Sequence, residues 1–503
     1  MSENSQFIEL KSSLNPKDYE KQDSSLKNSN NLNRNEANTY IEDLKLSFEY
    51  WHKKYLIKFI EIWQSIFNRR VFNFCKFTIQ LGDILFFLSI VGYLVLSLLL
   101  CRKEKNSGEQ TQFMLGVTII FGCRNGLISY IFGLSFERAI FWHKFMAWVT
   151  LGLSANHWYH ARGIVSGYMI GGVLSTFVIF SIEPIRRRFW EFFMKLHWLL
   201  ICCMFVSCII HEVGAGILAI GYFALDVICR IYTVKKYSNL SASIEIERAG
   251  DNVIKISMYR QNISFKGGQY FFIMIPKLSY FQWHPFSAFS APHEEQLVFY
   301  VKQSGDWTQA LFQLAGKQGK PATVRGYIDG PYGSHSISLE RNKYQHFLCI
   351  SGGIGITPIF SLIKSLNFQV REGRLVQNIH FIWVGRDESV IEKTLVEKQL
   401  KQLEIEDNKI GLRSFLHFTN NKAQSFVTQK QKQNQKNIQY SLSRPDFSVY
   451  FENMHKIAKM SQINLVGVVV CGPQQLIQTV ENYASQYSKD GIRFDTHQEV
   501  FEL

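Results

Sequence analysis

Between residues 77 and 231 the chain runs through six apolar stretches, 77–100, 113–132, 141–160, 164–181, 192–211 and 213–231, parted by short polar breaks. Each is close to the ~20 residues a helix needs to cross a bilayer, the fourth being the shortest, so the pattern predicts six spanning helices. Upstream, Ile41, Leu44, Phe48, Trp51, Tyr55, Phe59, Trp63 and Phe67 recur at helical spacing among lysines, which predicts an amphipathic helix on the inner leaflet. Residues 1–39 are rich in Asn, Ser and Lys without a sustained period and read as a disordered tail. Past Lys236 the pattern shortens to alternating runs: 243–246, 253–258, 269–275, 297–302 and 322–327 read as strands and 307–315 as a helix, predicting a small closed β-barrel. From Tyr344 onward, strands at 346–351, 380–384, 412–419 and 467–471 alternate with helices at 358–366, 392–404, 449–461 and 474–487. That alternation predicts a doubly wound α/β domain, interrupted by a Gln, Asn and Lys tract at 420–440 that reads as a solvated loop insertion.

The expected fold is therefore multidomain: tail 1–39, juxtamembrane amphipathic helix 40–70, a six-helix transmembrane bundle 71–236, a β-barrel domain 237–342 and an α/β nucleotide-binding domain 343–503. Charge adds direction. Lys53, Lys54, Lys58, Arg69 and Arg70 precede the first span, Arg186, Arg187 and Arg188 part the fourth from the fifth, and Lys235 and Lys236 follow the sixth. By the positive-inside rule both termini are cytoplasmic, with Arg102, Lys103 and Lys105 running against the trend. The net charge of +14 thus reads as topology and attraction to an anionic leaflet, and no basic stripe with interleaved aromatics suggests nucleic acid. The nine cysteines contain no CxxC pair, and most fall in spans or the cytoplasmic half, where disulfides are not expected.

Candidate chemistry begins with four histidines. His143 and His157 are fourteen positions apart, and so are His197 and His211. Fourteen steps fall ~40° short of four helical turns, so each pair looks out of nearly one face, ~21 Å apart along the axis. A buried histidine alone more often bonds neighbouring backbone. Two equal spacings in an apolar setting point instead to two stacked His–His clamps, each able to hold a haem. The third and fifth spans run in the same direction, which sets His143 against His197 near the cytoplasmic side and His157 against His211 near the outer side. Arg124, in the second span, suits either a haem propionate or a snorkelling position near the inner end.

Ser351-Gly352-Gly353-Ile354-Gly355-Ile356-Thr357-Pro358 follows a strand and opens a helix, a context suited to binding pyrophosphate at exposed backbone N–H groups. Arg386 at the end of the next strand favours the 2′-phosphate of NADPH, whereas neighbouring Asp387 favours the free hydroxyl of NADH.

The segment His284-Pro285-Phe286-Ser287 resembles the flavin-binding signature of the ferric reductase and NADPH oxidase superfamily, within the wider ferredoxin-reductase group. Gly268-Gln269-Tyr270, Asp329-Gly330-Pro331-Tyr332-Gly333, the Gly352–Pro358 run, Arg444-Pro445-Asp446-Phe447, Cys471-Gly472-Pro473, Cys123-Arg124-Asn125 and both histidine pairs are similar to the same family in the same order. The resemblance implies FAD contacts at His284, Pro285, Phe286 and Ser287, and dinucleotide contacts at Gly352, Gly353, Gly355 and Thr357. It implies Arg386 and Arg444 near the adenosine end, Cys471 beside the nicotinamide, and Phe501 as the aromatic cover of the flavin. Gly268, Gln269, Tyr270, Gly330, Pro331, Gly333, Pro358, Gly472 and Pro473 would complete the cofactor sites, with His143, His157, His197 and His211 as axial ligands of two b-type haems. The expected path runs from NADPH or NADH through FAD and the haems to an acceptor across the plasma membrane or an endomembrane. Equal spacing in both histidine pairs and short outer loops resemble a metalloreductase taking ferric or cupric chelates. Superoxide production from molecular oxygen by an NADPH oxidase is the second reading, and a non-enzymatic scaffold or channel the third. A homo-oligomer or a regulatory subunit is left open.

Overall fold

The computed structural model describes Trp63, Phe67 and residues 70–74, 77–100, 105–124, 131–132, 134, 136–160, 165–238, 243–260, 263–333, 343–386, 398–401, 403, 411–433 and 437–499. The tail, most of the amphipathic helix, Asn125, Asp387, most of the helix expected at 392–404, and Phe501 lie outside the described residues. The chain divides into two compact units, Met1–Gln64 and Ser65–Leu503; every element below belongs to the second.

Helices occupy all six apolar stretches. They are α1 (Leu81–Leu100), α2 (Lys105–Phe121), α3 (Phe136–His160), α4 (Val165–Ser181), the short α5 (Glu183–Arg188), α6 (Trp190–Ile210) and α7 (Gly214–Ser238). Two boundaries differ from the apolar pattern. Residues 77–80 form β2 (Phe77–Gln80), antiparallel to β1 (Arg70–Phe74), so the first helix starts at Leu81. The second helix lies eight residues earlier than expected, because polar residues of its first turns have partners inside the fold: Gln110 is buried and Ser107 meets His157. Among the described residues, Phe192–Ile210 and Gly214–Lys235 are long and apolar enough to cross a membrane, while Leu81–Leu96 and Val165–Ser181 are shorter apolar helices. The outward surface is apolar too. On α7, Leu218, Leu225, Ile228 and Ile231 are all exposed, a stripe that a water-facing helix would not carry.

After α7, seven antiparallel strands form two sheets where a single closed barrel was expected. The strands are β3 (Ile244–Arg248), β4 (Val253–Tyr259), β5 (Tyr270–Met274), β6 (His284–Ser287), β7 (Gln296–Lys302), β8 (Ala322–Val324) and β9 (Tyr327–Tyr332). They are ordered β7-β4-β3-β8 and β6-β5-β9 around a core that includes Ile246, Ile254, Phe271, Ile273, Leu297 and Phe299, with Trp307 from α8 (Asp306–Leu314). Pro285 makes β6 read as a loop; it is tolerated because β6 is a sheet edge, where a missing N–H costs least.

The last domain is one parallel sheet of six strands. In chain order these are β10 (His346–Gly352), β11 (Asn378–Gly385), β12 (Gly411–Phe418), β13 (Ile438–Ser441), β14 (Leu465–Cys471) and β15 (Arg493–Glu499), arranged β13-β12-β11-β10-β14-β15. Its helices are α9 (Ile356–Arg371), α10 (Gln424–Lys432), α11 (Phe447–Met460) and α12 (Gln474–Tyr487). The tract at 420–440 is not the bare loop its composition suggests. It contains α10 and the edge strand β13, because Ala423 and Val427 on one helix face and alternating Ile438 and Tyr440 bury their side chains. The strand order reverses between β10 and β14, so the loops at the carboxyl ends of those two strands form the crevice where such sheets bind ligands.

Candidate functional site

One of the two expected histidine pairs meets: His143 and His197 face each other with ring centroids 6.3 Å apart and planes at 75°. A ligating imidazole nitrogen lies ~2 Å from its metal, which puts two imidazoles on opposite sides of one ion at a centroid spacing of ~6 Å. The His143 Nδ1–H donates to the Thr118 carbonyl at 2.8 Å, so Nε2 keeps its lone pair toward a metal. His197 is flanked by Phe177 and Phe193, and its Nδ1 is buried without a hydrogen-bond partner. Of the other two histidines, His157 has Ser107 Oγ 3.0 Å from its Nδ1, and His211 has Ser166 Oγ 2.8 Å from its Nδ1.

Neighbouring helices are cut to fit these rings. A Cβ on Gly122 would come 3.2 Å from His143 Nδ1, and one on Gly108 would come 3.1 Å from His157 Cε1. Gly108 and Gly122 are themselves fourteen residues apart, so α2, antiparallel to α3, opens a gap opposite each histidine. That third equal spacing was visible in the sequence and is a signal the histidines alone did not give. Thr118, Ser107 and Ser166 carried no such signal, since a backbone carbonyl or a lone serine in a helix has no pattern.

Arg124 has a protein partner that the sequence does not suggest. The chain leaves α2 at Phe121, and Arg124, half-buried, turns toward the β-domain. Its Nη1 lies 3.3 Å from Asp329 Oδ2 on β9, and its guanidinium covers the Phe272 ring at 3.8 Å. Tyr332 donates its hydroxyl to the same carboxylate oxygen at 2.9 Å, while Oδ1 is buried with no partner. Burial pushes the Asp329 carboxyl above its ordinary 3.8, with Arg124 and the Tyr332 hydrogen bond pulling the other way. A folded-state value above the unfolded one means that stability falls as pH rises from about 4 through the raised value. Asp329→Asn should flatten that slope in thermal melts. Arg124→Met alone, which strands a buried carboxylate, should cost ~3–5 kcal/mol, and adding Asp329→Asn should recover part of it.

This junction ties the flavin-type sheet to the helices. Tyr270, Phe272 and Tyr332 cluster with Trp283 and with Phe136, the first residue of α3. Phe136 precedes His143 by seven residues, ~10 Å of helix. Register puts Pro285 opposite Phe272 and Ser287 opposite Tyr270. Those two residues of the His284–Ser287 segment therefore share the face toward α3. His284 and Phe286 take the other face, both stacked on Trp307, with His284 4.2 Å from it. The Ser287 hydroxyl is buried and unpartnered. Gly330 and Gly333 adopt positive φ, and Cβ atoms there would meet Phe271 at 2.7 Å and Tyr270 at 3.3 Å. Gly268 N donates to Ser361 Oγ and Gln269 Nε2 to the Gly333 carbonyl, which joins the turn before β5 to α9 and to the end of β9.

At the carboxyl edge of the parallel sheet, Gly353 has φ +54° with open space where a Cβ would stand, and Trp383 Nε1 donates to its carbonyl at 3.0 Å. Gly355 abuts the next strand: its Cβ would lie 2.6 Å from the Cys471 carbonyl oxygen and 3.0 Å from Cys471 Sγ. A Cβ on Gly352 would lie 2.9 Å from Pro473 Cδ and 3.0 Å from Leu476 Cδ2. Ser351 Oγ is buried without a partner, and Thr357 Oγ1 and Pro358 sit in the first turn of α9. Arg386 and Arg444 are exposed beyond β11 and β13. Between them, missed by sequence reasoning, His417 donates Nδ1–H to the Ser443 carbonyl and accepts from Tyr450 at 2.6 Å, fixing the loop that carries Arg444. Burial holds its pKa below the usual histidine value.

Residues 238–336 match the FAD-binding domain family, and residues 344–485 match the ferric reductase NAD binding domain family. NADPH oxidase 1 of Mus musculus is 29% identical over 47% of this chain and 41% of its own length. A superoxide-generating NADPH oxidase heavy chain of Dictyostelium discoideum is 25% identical over 67% of this chain and 69% of its own length. Dual oxidase 2 of Homo sapiens is 27% identical over 67% of this chain and 23% of its own length. The chain thus spans less than half the length of the mouse relative. Among solved structures, a ferredoxin NADP+ reductase from Neisseria gonorrhoeae with bound FAD and NADP aligns over 51% of this chain and 98% of that one, at 14% identity and TM-score 0.36. With a FAD-binding and a ferric reductase-type NAD-binding domain in succession and relatives among the NADPH and dual oxidases, the chain is similar to the ferric reductase and NADPH oxidase superfamily.

Proposed function

We propose that this chain is a transmembrane oxidoreductase that moves electrons from cytoplasmic NADPH, through FAD and two b-type haems, to an acceptor on the other side of the membrane. The observation that carries it is the His143–His197 pair, whose 6.3 Å spacing and Thr118-tied tautomer suit two axial ligands of one iron. The unpartnered His197 Nδ1, Ser287 hydroxyl and Ser351 hydroxyl, and the room left by Gly122, Gly108 and Gly353, support the fit of haem, flavin and dinucleotide. When bound, a flavin takes two electrons as hydride and releases them singly, and haem iron takes them one at a time.

The protein's part is placement. Gly352, Gly353 and Gly355 let backbone N–H groups approach a pyrophosphate at the start of α9, and Arg386 and Arg444 give the adenosine end a preference for a 2′-phosphate, hence NADPH. Cys471, pressed against Gly355, sets the floor where the nicotinamide meets the flavin. Phe136 and Phe272 close the gap between the flavin strand and α3, excluding water from the inner clamp. His157 and His211, held by Ser107 and Ser166, form the outer clamp. With α6 and α7 crossing the bilayer and both termini cytoplasmic, either the plasma membrane or an endomembrane would serve.

Molecular oxygen is the acceptor favoured by the relatives, one of which carries superoxide generation in its name. A ferric or cupric chelate is the second reading, favoured by the equal fourteen-residue spacings and by the brief connection from His211 to α7 at Gly214. Sealed right-side-out vesicles loaded with NADPH should reduce external cytochrome c, and superoxide dismutase should abolish that reduction. Persistent reduction of an impermeant ferric chelate with the dismutase present would instead establish direct metal reduction.

A further inference from the structure

The connection between β5 and β6 is a short ordered turn with an unusual tip. Leu278 N and Ser279 N donate to the Ile275 carbonyl at 2.9 and 3.0 Å, and Phe281 N donates to Ser279 Oγ. These bonds hold Tyr280 70% exposed and Phe281 91% exposed, the latter the greatest exposure of any large hydrophobic among the described residues. An aromatic side chain kept in water by its own turn needs a reason. Two positions on, Trp283 turns back and packs with Tyr270, Phe272, Tyr332 and Phe136, at the very start of α3. The tip is thus continuous with the junction to the helices, on the side where Arg124 meets Asp329. Lys277 is exposed on the same turn. Tyrosine, tryptophan and phenylalanine beside a lysine is the composition of a headgroup-level anchor on an anionic leaflet.

We infer that Tyr280 and Phe281 are seated in the cytoplasmic leaflet of the membrane that α6 and α7 cross, so that the flavin-type domain is held by lipid as well as by the Arg124–Asp329 junction. This rests on the transmembrane reading above. The occupant is phospholipid: the tip is narrow, two aromatic residues long, and adjoins the helix ends directly, leaving little surface for a folded partner. Anchored at this point, the β6 strand that carries Pro285 and Ser287 would keep a fixed height over the inner histidine clamp.

Full-length protein carrying p-benzoylphenylalanine at one position at a time, in nanodiscs of phosphatidylcholine and phosphatidylserine with radiolabelled phospholipid, tests this on illumination. Leu218, exposed on α7, reports the bilayer, and Met460, 86% exposed at the end of α11, reports solvent. The expected result is lipid adducts at Leu218 and Phe281, the latter roughly tenfold above Met460, as for a side chain resident at the interface. Adducts at Leu218 with only background at Phe281 would overturn the anchor while leaving the membrane reading intact. Background at all three positions would overturn both. In whole cells, a Phe281 adduct to another protein instead of lipid would also overturn the anchor.

Discussion

Replacing His143 by Ala should abolish electron export while leaving the cytoplasmic half active. The ring removed is half of the 6.3 Å clamp with His197 and the donor to the Thr118 carbonyl. Loss of an outer hydrogen-bond partner alone typically costs ~10–100-fold in metal affinity or activity, and loss of the ligand itself should exceed that. Reduced-minus-oxidised spectra of membranes should lose the inner-haem intensity, and reduction of an external acceptor should fall to background. NADPH-driven reduction of a soluble dye, which needs only the domains after residue 237, should stay close to wild type. Equal loss of both activities in a protein that still folds would contradict the proposed order of carriers.

The second large effect is expected at Gly355. Its missing Cβ is what allows the turn after β10 to lie against the end of β14, with Cys471 O at 2.6 Å and Sγ at 3.0 Å from that position. Gly355→Val forces backbone against backbone across the switch point. An overpacking penalty of ~1–3 kcal/mol falls on the surface that receives the nicotinamide, so NADPH-dependent flavin reduction should weaken by about 5- to 140-fold, at ~1.4 kcal/mol per decade. Chemical reduction by dithionite bypasses that site and should still give the full haem spectrum. Stopped-flow flavin bleaching at rising NADPH concentration checks the first half of this expectation, and the dithionite spectrum checks the second.

What the sequence revealed depended on how repetitive the physical signal was. The helix at 474–487 was legible to the residue, because Pro473 starts it and apolar positions at Ile477, Val480 and Ala484 all face the core. Counting spans correctly set His143 against His197, since direction alternates at each crossing. The failures share a cause: local composition was outvoted by a tertiary partner. Polar residues 105–112 joined α2 because Ser107 and Gln110 had places in the fold. The Gln-rich tract gained an edge strand because Ile438 and Tyr440 could bury beside β12. Arg124 likewise has a partner, Asp329, 205 positions away, and no local pattern encodes a partner at that distance.

If two haems stand between the flavin and the far side of the membrane, the purified full-length protein shows it when b-type haem is counted per chain and NADPH is then added under anaerobic conditions. The expected result is two haems per chain, both reduced by NADPH through bound FAD. A chain that binds no b-type haem, or one whose haems NADPH cannot reduce although its flavin is bleached, would contradict it.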